Sequence, residues 1–340
     1  MYEAEIAGPA RELRQLLDDK DAVFWVGSGI SREARNANGD PYPEWKKLIE
    51  TLCQECGVDF PESATENDFG GLADRCKARS ETAYNRTLGR LFGGPPLTLP
   101  DKALSILQLT KYFLITTNFD RIFVRAMERL GGEARVHSYP NLPPNPRLRQ
   151  PYLVHLHGLA PESSDEPASD LVLAQSEFEL AYKEPSTGIE DTGPAYRFLS
   201  STLPEWTVLF VAYSLSEQEV RRTLEALRKL RDRLWEKLRA RRSPSDKSEW
   251  VLVVGRSPSP DPNAPQQEQE EYNRQRSWEE DLIRRAGEAG IGRVVEYPRR
   301  TRDHTELRDV LDMVFRLGAP LRGEVGQLDE LEDGRVVPGE

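Results

Sequence analysis

The chain has 340 residues, of which 38% are hydrophobic and 30% charged, a length that suits one large domain or two ordinary ones with a sizeable core. Its formal charge of −11 disfavours the molecule as a general binder of nucleic acid, and no apolar run approaches the roughly 18–20 residues that span a bilayer. Three cysteines, an odd number, argue against a disulfide framework and fit a reducing, cytoplasmic setting.

The opening stretch, "MYEAEIAGPARELRQLLDDKD", is charged and amphipathic and reads as a helix rather than a signal peptide. From "AVFWV" (22–26) onward, short β-rich runs alternate with helical patterns. That alternation predicts an α/β fold: a doubly wound, mostly parallel, Rossmann-like sheet covered on both faces. Further strands are predicted at 112–116, 134–139, 152–156, 170–174, 207–212, 250–255 and 293–297, several of them almost wholly apolar. Helical periodicity places Trp45, Leu48, Ile49, Leu52, Cys53 and Cys56 on one face, then Val220, Leu224, Leu227, Leu234 and Leu238, then Leu307, Val310, Leu311, Val314 and Phe315.

The stretch from about 43 to 110 carries several helical patterns and no convincing strand, more than a plain crossover needs, and reads as an inserted helical subdomain or cap. Pro-rich loops are expected at 140–151 and 256–267. Between Glu219 and Lys247 stand eleven Lys/Arg against five Asp/Glu. The plain reading is the solvated face of an amphipathic helix; contact with an acidic partner or nucleic acid is the alternative. One domain over 1–320 is expected, followed by an acidic tail over 321–340, with no internal repeat.

Four polar signals sit where strands give way to helices. "VFWVGSGIS" runs a buried strand into Gly27, Ser28, Gly29, Ile30 and Ser31. Closely spaced glycines let backbone N–H groups approach a phosphate, although a tight structural turn has the same sequence, and neither the dinucleotide fingerprint nor a P-loop is complete. "LITTNFD" ends a strand in Thr117, Asn118 and Asp120, which can cap the next helix or line the ligand crevice at the carboxyl end of an open sheet. "YLVHLHG" brings His155 and His157, two apart and therefore expected on one face of a strand, with His157 at its carboxyl end and His155 one pleat deeper. "TVLFVAYSLSEQEV" ends in Tyr213, suited to pack over a base or ribose, and Ser214, suited to bond a phosphate or ribose; Ser216 and Glu219 are alternatively a helix cap and its capping-box partner.

In order and placement these four stretches together resemble the sirtuin superfamily, most closely the sirtuin-like domains of bacterial antiphage defence. "GSGIS" is similar to its glycine-rich loop, "TTNFD" to its asparagine–aspartate motif, "HG" to its catalytic histidine–glycine and "AYSLS" to its late adenosine-side loop. The resemblance extends over about residues 15–318. It lacks the Pro-Asp-Phe-Arg element of protein-deacylating sirtuins, the region instead reading "SREARNANGDPYPEWKKL", and it lacks their Cys₄ zinc module, since no cysteine follows Cys76. The late loop begins with Ala212 where a glycine is commoner.

The resemblance implies NAD as substrate with no metal, cleavage of the nicotinamide–ribose bond to nicotinamide and ADP-ribose, and Asn118 and His157 as the catalytic pair. Gly27, Ser28, Gly29, Ile30, Ser31, Thr117, Asn118, Asp120, Tyr213 and Ser214 would bind the dinucleotide. Nicotinamide leaves a pyridinium as a neutral molecule, so no general acid is needed and the absence of an obvious carboxylate pair is no objection. A histidine with an ordinary pKa near 6.5 suits proton acceptance at neutral pH, with His155 as its structural neighbour. The alternatives are an NAD-dependent protein deacylase, an ADP-ribose cyclase and a non-catalytic NAD or ADP-ribose sensor. An NAD-destroying enzyme needs restraint, so a homo-oligomer is expected. Its trigger would reside on a separate protein of an abortive-infection system, such as a DNA translocase, nuclease or Argonaute-like protein.

Overall fold

In the computed structural model, residues 2–19, 21–132, 135–143, 152–185, 191–238, 248–260, 264–300 and 305–318 are described. Parts of the two Pro-rich loops (144–151 and 261–263), the end of the basic segment (239–247) and the acidic tail (321–340) lie outside them.

Seven strands form one parallel sheet: β1 (Ala22–Val26), β2 (Phe113–Thr116), β3 (Val136–Ser138), β4 (Tyr152–His155), β5 (Thr207–Val211), β6 (Trp250–Arg256) and β7 (Arg293–Pro298). Their order is β3-β4-β2-β1-β5-β6-β7: on one side of β1 the chain places β2, then β3 at the edge and β4 back between them, and on the other side it steps outward through β5, β6 and β7. β1 pairs in register with β2 through Phe24 and Leu114 and with β5 through Phe24 and Leu209. Both neighbours are parallel, which requires a crossover at every step and buries both faces. The near-continuous apolar runs of β1 and β5 follow from that position.

Alternation along the strands divides the core. Phe24, Val26, Leu114, Leu153 and Leu209 face a layer built by α1 (Tyr2–Asp19), α5 (Asp101–Leu109), α6 (Ile122–Arg129) and α11 (Thr305–Leu317). Val23, Trp25, Ile115, Val154 and Phe210 face α7 (Gln175–Ala181), α8 (Pro194–Thr202), α9 (Gln218–Leu238) and α10 (Gln266–Glu288).

Between β1 and β2 lie α2 (Trp45–Cys56), α3 (Phe69–Arg79) and α4 (Glu81–Phe92), which pack on one another, and α5, which instead packs against α6 and α11. The buried face of α2 is the one its periodicity predicts, and its Cys53 Sγ lies 3.6 Å from Cys76 Sγ on α3. Among the described residues no three His, Cys, Asp or Glu side chains converge as a metal site.

Two expectations need correction. Residues 170–174 belong to no strand, although Leu171, Val172, Leu173 and Ala174 are buried. β4 already has β2 and β3 on its two edges, so this segment finds one partner beyond the strand, with Val172 N–H donating to the His157 carbonyl at 2.8 Å. On α9, Val220, Leu224 and Leu227 are buried, but the face then continues into Arg231, whose guanidinium lies 4.6 Å over the Trp250 ring, while Leu234 is 40% exposed. On its solvent side α9 carries the ordinary helical ion pairs Arg228–Asp232 and Lys229–Glu225, in keeping with the plain reading of the basic segment.

Candidate active site

The strands that carry the four polar signals are contiguous in the sheet, β4-β2-β1-β5, and parallel, so their carboxyl-end loops share one rim. A cleft of about 440 Å³ opens there, within the range of small-molecule sites. Ser28, Ser31, Thr117, Asn118, Asp120, His157, Tyr213 and Ser214 all line it. A second wall comes from the helical stretch before β2, through Tyr42, Trp45 and Phe69.

Asn118 is fixed by its surroundings. Its backbone N–H donates to Thr116 Oγ1 at 3.1 Å, and its Nδ2 donates to the Gly27 carbonyl at 3.2 Å and to Ser31 Oγ at 3.1 Å. A carbonyl can only accept, so the amide cannot be reversed. Ser31 Oγ–H passes on to Asp120 Oδ2 at 2.6 Å, and Asp120 Oδ1 accepts from the Ile122 N–H at the start of α6. Asp120 is thus both a helix cap and a member of the cleft. Burial pushes its carboxyl above the usual range, against the pull of Ser31 and Ile122. The network leaves one atom over: Asn118 Oδ1 is buried without a partner.

The two histidines part company. β4 ends at His155, and the chain turns through Leu156 and His157 into Gly158, at φ +95°, where a Cβ would collide with the Asp170 carbonyl. The imidazoles therefore do not share a strand face as the spacing predicts. His155 Nδ1–H donates to the Asn118 carbonyl at 3.0 Å, holding the asparagine from behind. His157 turns toward α7, packs edge-on against Phe178 and engages Tyr182 Oη through Nε2 at 2.7 Å, so Nδ1 is the nitrogen left to meet a ligand. Burial pushes the imidazole of His157 down to about 3. His155 falls to about 4, by burial first, with Arg121 adding to it and the Asn118 carbonyl opposing. Both shifts favour the neutral ring at physiological pH, against the expectation of a group titrating near 6.5, because burial disfavours the imidazolium.

The glycine-rich loop also differs from expectation. Gly27 N–H donates to the Val211 carbonyl at 3.1 Å and Gly29 N–H to the Ala212 carbonyl at 3.2 Å, so these amides extend β5 rather than face the cleft. Glycine is required because the loop crosses the β5 exit at close range; a Cβ at Gly27 would lie 2.6 Å from the Ala212 carbonyl oxygen. Ile30 is fully buried in the core, and of this loop Ser28 and Ser31 face the cleft. Across from it, Ala212 and Leu215 hold φ of 51° and 53°, the left-handed region where glycine costs least. Tyr213 is buried against Trp25 and Phe210 rather than presenting a free ring face, and its hydroxyl donates to Glu217 Oε2 at 2.9 Å. Ser214 Oγ pairs with Ser216 Oγ at 2.9 Å, and Glu219 accepts from Gln175 on α7 instead of closing a capping box.

Two residues of the site escape the sequence reading, one behind the cleft lining and one on it. Tyr182 meets His157 only through the packing of α7 on the rim, and no spacing announces it. Glu217 lines the cleft with a carboxyl raised by burial, and its signal, an acid directly after the serine loop, was legible in "SLSEQ".

The sequence profile of the SIR2-like domain family matches residues 113–280 of this chain. Among characterised proteins it is similar to the NAD(+) hydrolase ThsA of Bacillus cereus (strain MSX-D12), 26% identical over 225 residues. That match takes in 65% of this chain and 42% of ThsA, so the chain spans less than half the length of that relative. Among solved structures it is similar to one described under the structural basis for the mechanism and regulation of Sir2 enzymes (14% identity, TM-score 0.37, 91% of this chain and 98% of that one). A Sir2 homologue–NAD complex is comparable (11% identity, TM-score 0.38, 90% and 94%).

Proposed function

We propose that the chain hydrolyses NAD at the nicotinamide–ribose bond, releasing nicotinamide and ADP-ribose. The observation that carries this reading is the orientation of Asn118: its Nδ2 is committed to Gly27 and Ser31, and its unpartnered Oδ1 belongs to a residue of the same cleft as His157. An orphaned buried acceptor costs about 1–3 kcal/mol until something donates to it, and a ribose hydroxyl or a water is such a donor.

In this reading the dinucleotide runs along the rim of the sheet. The nicotinamide ribose lies by Asn118 and His157 at β2 and β4, the pyrophosphate by Ser28 beyond β1, and the adenosine toward Ser214 and β6. The C1′–N bond breaks with its electron pair going to the pyridine nitrogen, and water adds to the ribosyl cation with loss of one proton to solvent. His157, neutral at working pH, accepts a hydrogen bond from the water or a ribose hydroxyl. Asp120, joined to Asn118 through Ser31, stands on the side of the developing positive charge. The similarity to ThsA supports hydrolysis, and a role in antiviral defence with a homo-oligomeric, partner-triggered enzyme is the setting we propose for it.

Purified protein incubated with NAD, its products identified by mass, tests the reading. Nicotinamide and ADP-ribose are expected without any acylated peptide, and Asn118→Ala and His157→Ala should each abolish them. A strict requirement for acyl-peptide would establish deacylation instead.

A further inference from the structure

Outside the cleft, one face of α10 and the ends of two loops form an open groove of about 570 Å³. Three guanidiniums, Arg32, Arg274 and Arg299, line it against a single carboxylate, Glu271. Arg32 reaches it from the end of the short helix that follows Gly27, and Arg299 from the residue after β7. Arg299 is 8% exposed, held by Ser257 Oγ at 3.2 Å and facing Glu279 at 3.7 Å. Burial lowers its pKa; Glu279 and Tyr297 oppose that, and Arg32 adds to it, so two like charges act on one another across the groove. Among the described residues Arg32 pairs with Glu44 at 3.4 Å, an exposed pair worth little, and it also lines the main cleft. The arrangement favours an anion between the arginines.

The groove is not isolated. Trp278 of α10 is 42% exposed and stands at a junction. It lines the main cleft, the small hollow beside Ser214 and Gly255, and the arginine groove. A ligand running along the rim from β4 toward β6 therefore reaches Trp278 and then the arginines.

We propose that this groove binds a phosphate monoester carried on the adenosine ribose, so that the chain takes a 2′-phosphorylated nicotinamide dinucleotide in preference to NAD. The proposal rests on the direction of the dinucleotide given above. Arginine suits the task because its planar donors grip phosphate oxygens in pairs, and Trp278 offers a face for the base.

The test uses the full chain and two probes of the adenosine end, adenosine 5′-monophosphate and adenosine 2′,5′-bisphosphate, titrated calorimetrically at low and high salt. The bisphosphate is expected to bind at least about tenfold more tightly, with the advantage shrinking as salt rises. Arg274→Gln and Arg32→Gln, both on exposed side chains, should each reduce that ratio. Equal affinities in the wild-type chain, or a ratio that survives both substitutions, would overturn the inference. Measuring nicotinamide release from NAD and from its 2′-phosphate in parallel separates the two claims. Cleavage of both without preference sinks the groove and leaves the hydrolase standing. A bisphosphate preference lost in the arginine variants, with no dinucleotide cleaved, supports the groove and removes the hydrolase.

Discussion

Acidification should destabilise this protein through His157 by an amount that follows from its burial. In the folded chain the imidazole is pushed down to about 3, whereas in the unfolded chain it returns to about 6.5. Between those values the unfolded state binds one more proton, so stability is complete above about pH 6.5 and falls as pH drops toward 3. At about pH 5 the unfolded histidine is almost fully protonated and the folded one is not, which costs about 2 kcal/mol relative to about pH 7.5. That figure requires only that the folded value lie well below 5. Asp120 and Glu217 act with the opposite sign: their raised carboxyls take up protons before the unfolded chain does, so falling pH stabilises the fold through them. A comparison with His157→Gln cancels those contributions. Urea unfolding at the two pH values should show the wild-type chain losing about 2 kcal/mol more than the variant. Equal pH sensitivity in the two proteins would mean that His157 titrates normally in the folded state, and the neutral ring assigned to the cleft would be wrong.

Tyr182→Phe leaves His157 Nε2 without its partner; urea unfolding should show a loss of about 1–2 kcal/mol, and nicotinamide release should fall roughly tenfold as the ring loses its orientation. Unchanged turnover would show that the 2.7 Å contact plays no part in positioning the imidazole. Gly158→Ala places a side chain at φ +95° and against the Asp170 carbonyl, so its thermal unfolding should report at least about 2 kcal/mol of destabilisation. Gly27→Ala would force the loop off β5; tryptophan fluorescence should register the disturbed Trp25–Tyr213 packing, whereas a variant identical to wild type would refute the close crossing.

The strands from 22–26 to 293–297, apart from 170–174, were legible in the amino-acid order: the central ones, buried on both faces, are nearly continuous apolar runs, while the edge strands β3 and β7 are only partly buried and leave a weaker trace. That order also shows where polar groups interrupt those runs, and the parallel sheet then gathers Ser31, Asn118, His157 and Ser214 at one rim, since every carboxyl end points the same way. What those groups do once there depends on how the chain packs in three dimensions. His155 and His157 look equivalent in "HLH", yet the strand stops between them and sends one ring behind Asn118 and the other toward Tyr182, 25 residues on. The glycines of "GSGIS" look like a phosphate cradle, yet their amides pair with β5. Burial, and with it the depressed histidines and raised carboxyls, depends on what packs around a group from every side. A linear pattern records only the neighbours along the chain, and the rings packed on His157, Phe178 and Tyr182, come from α7 and the residue that follows it.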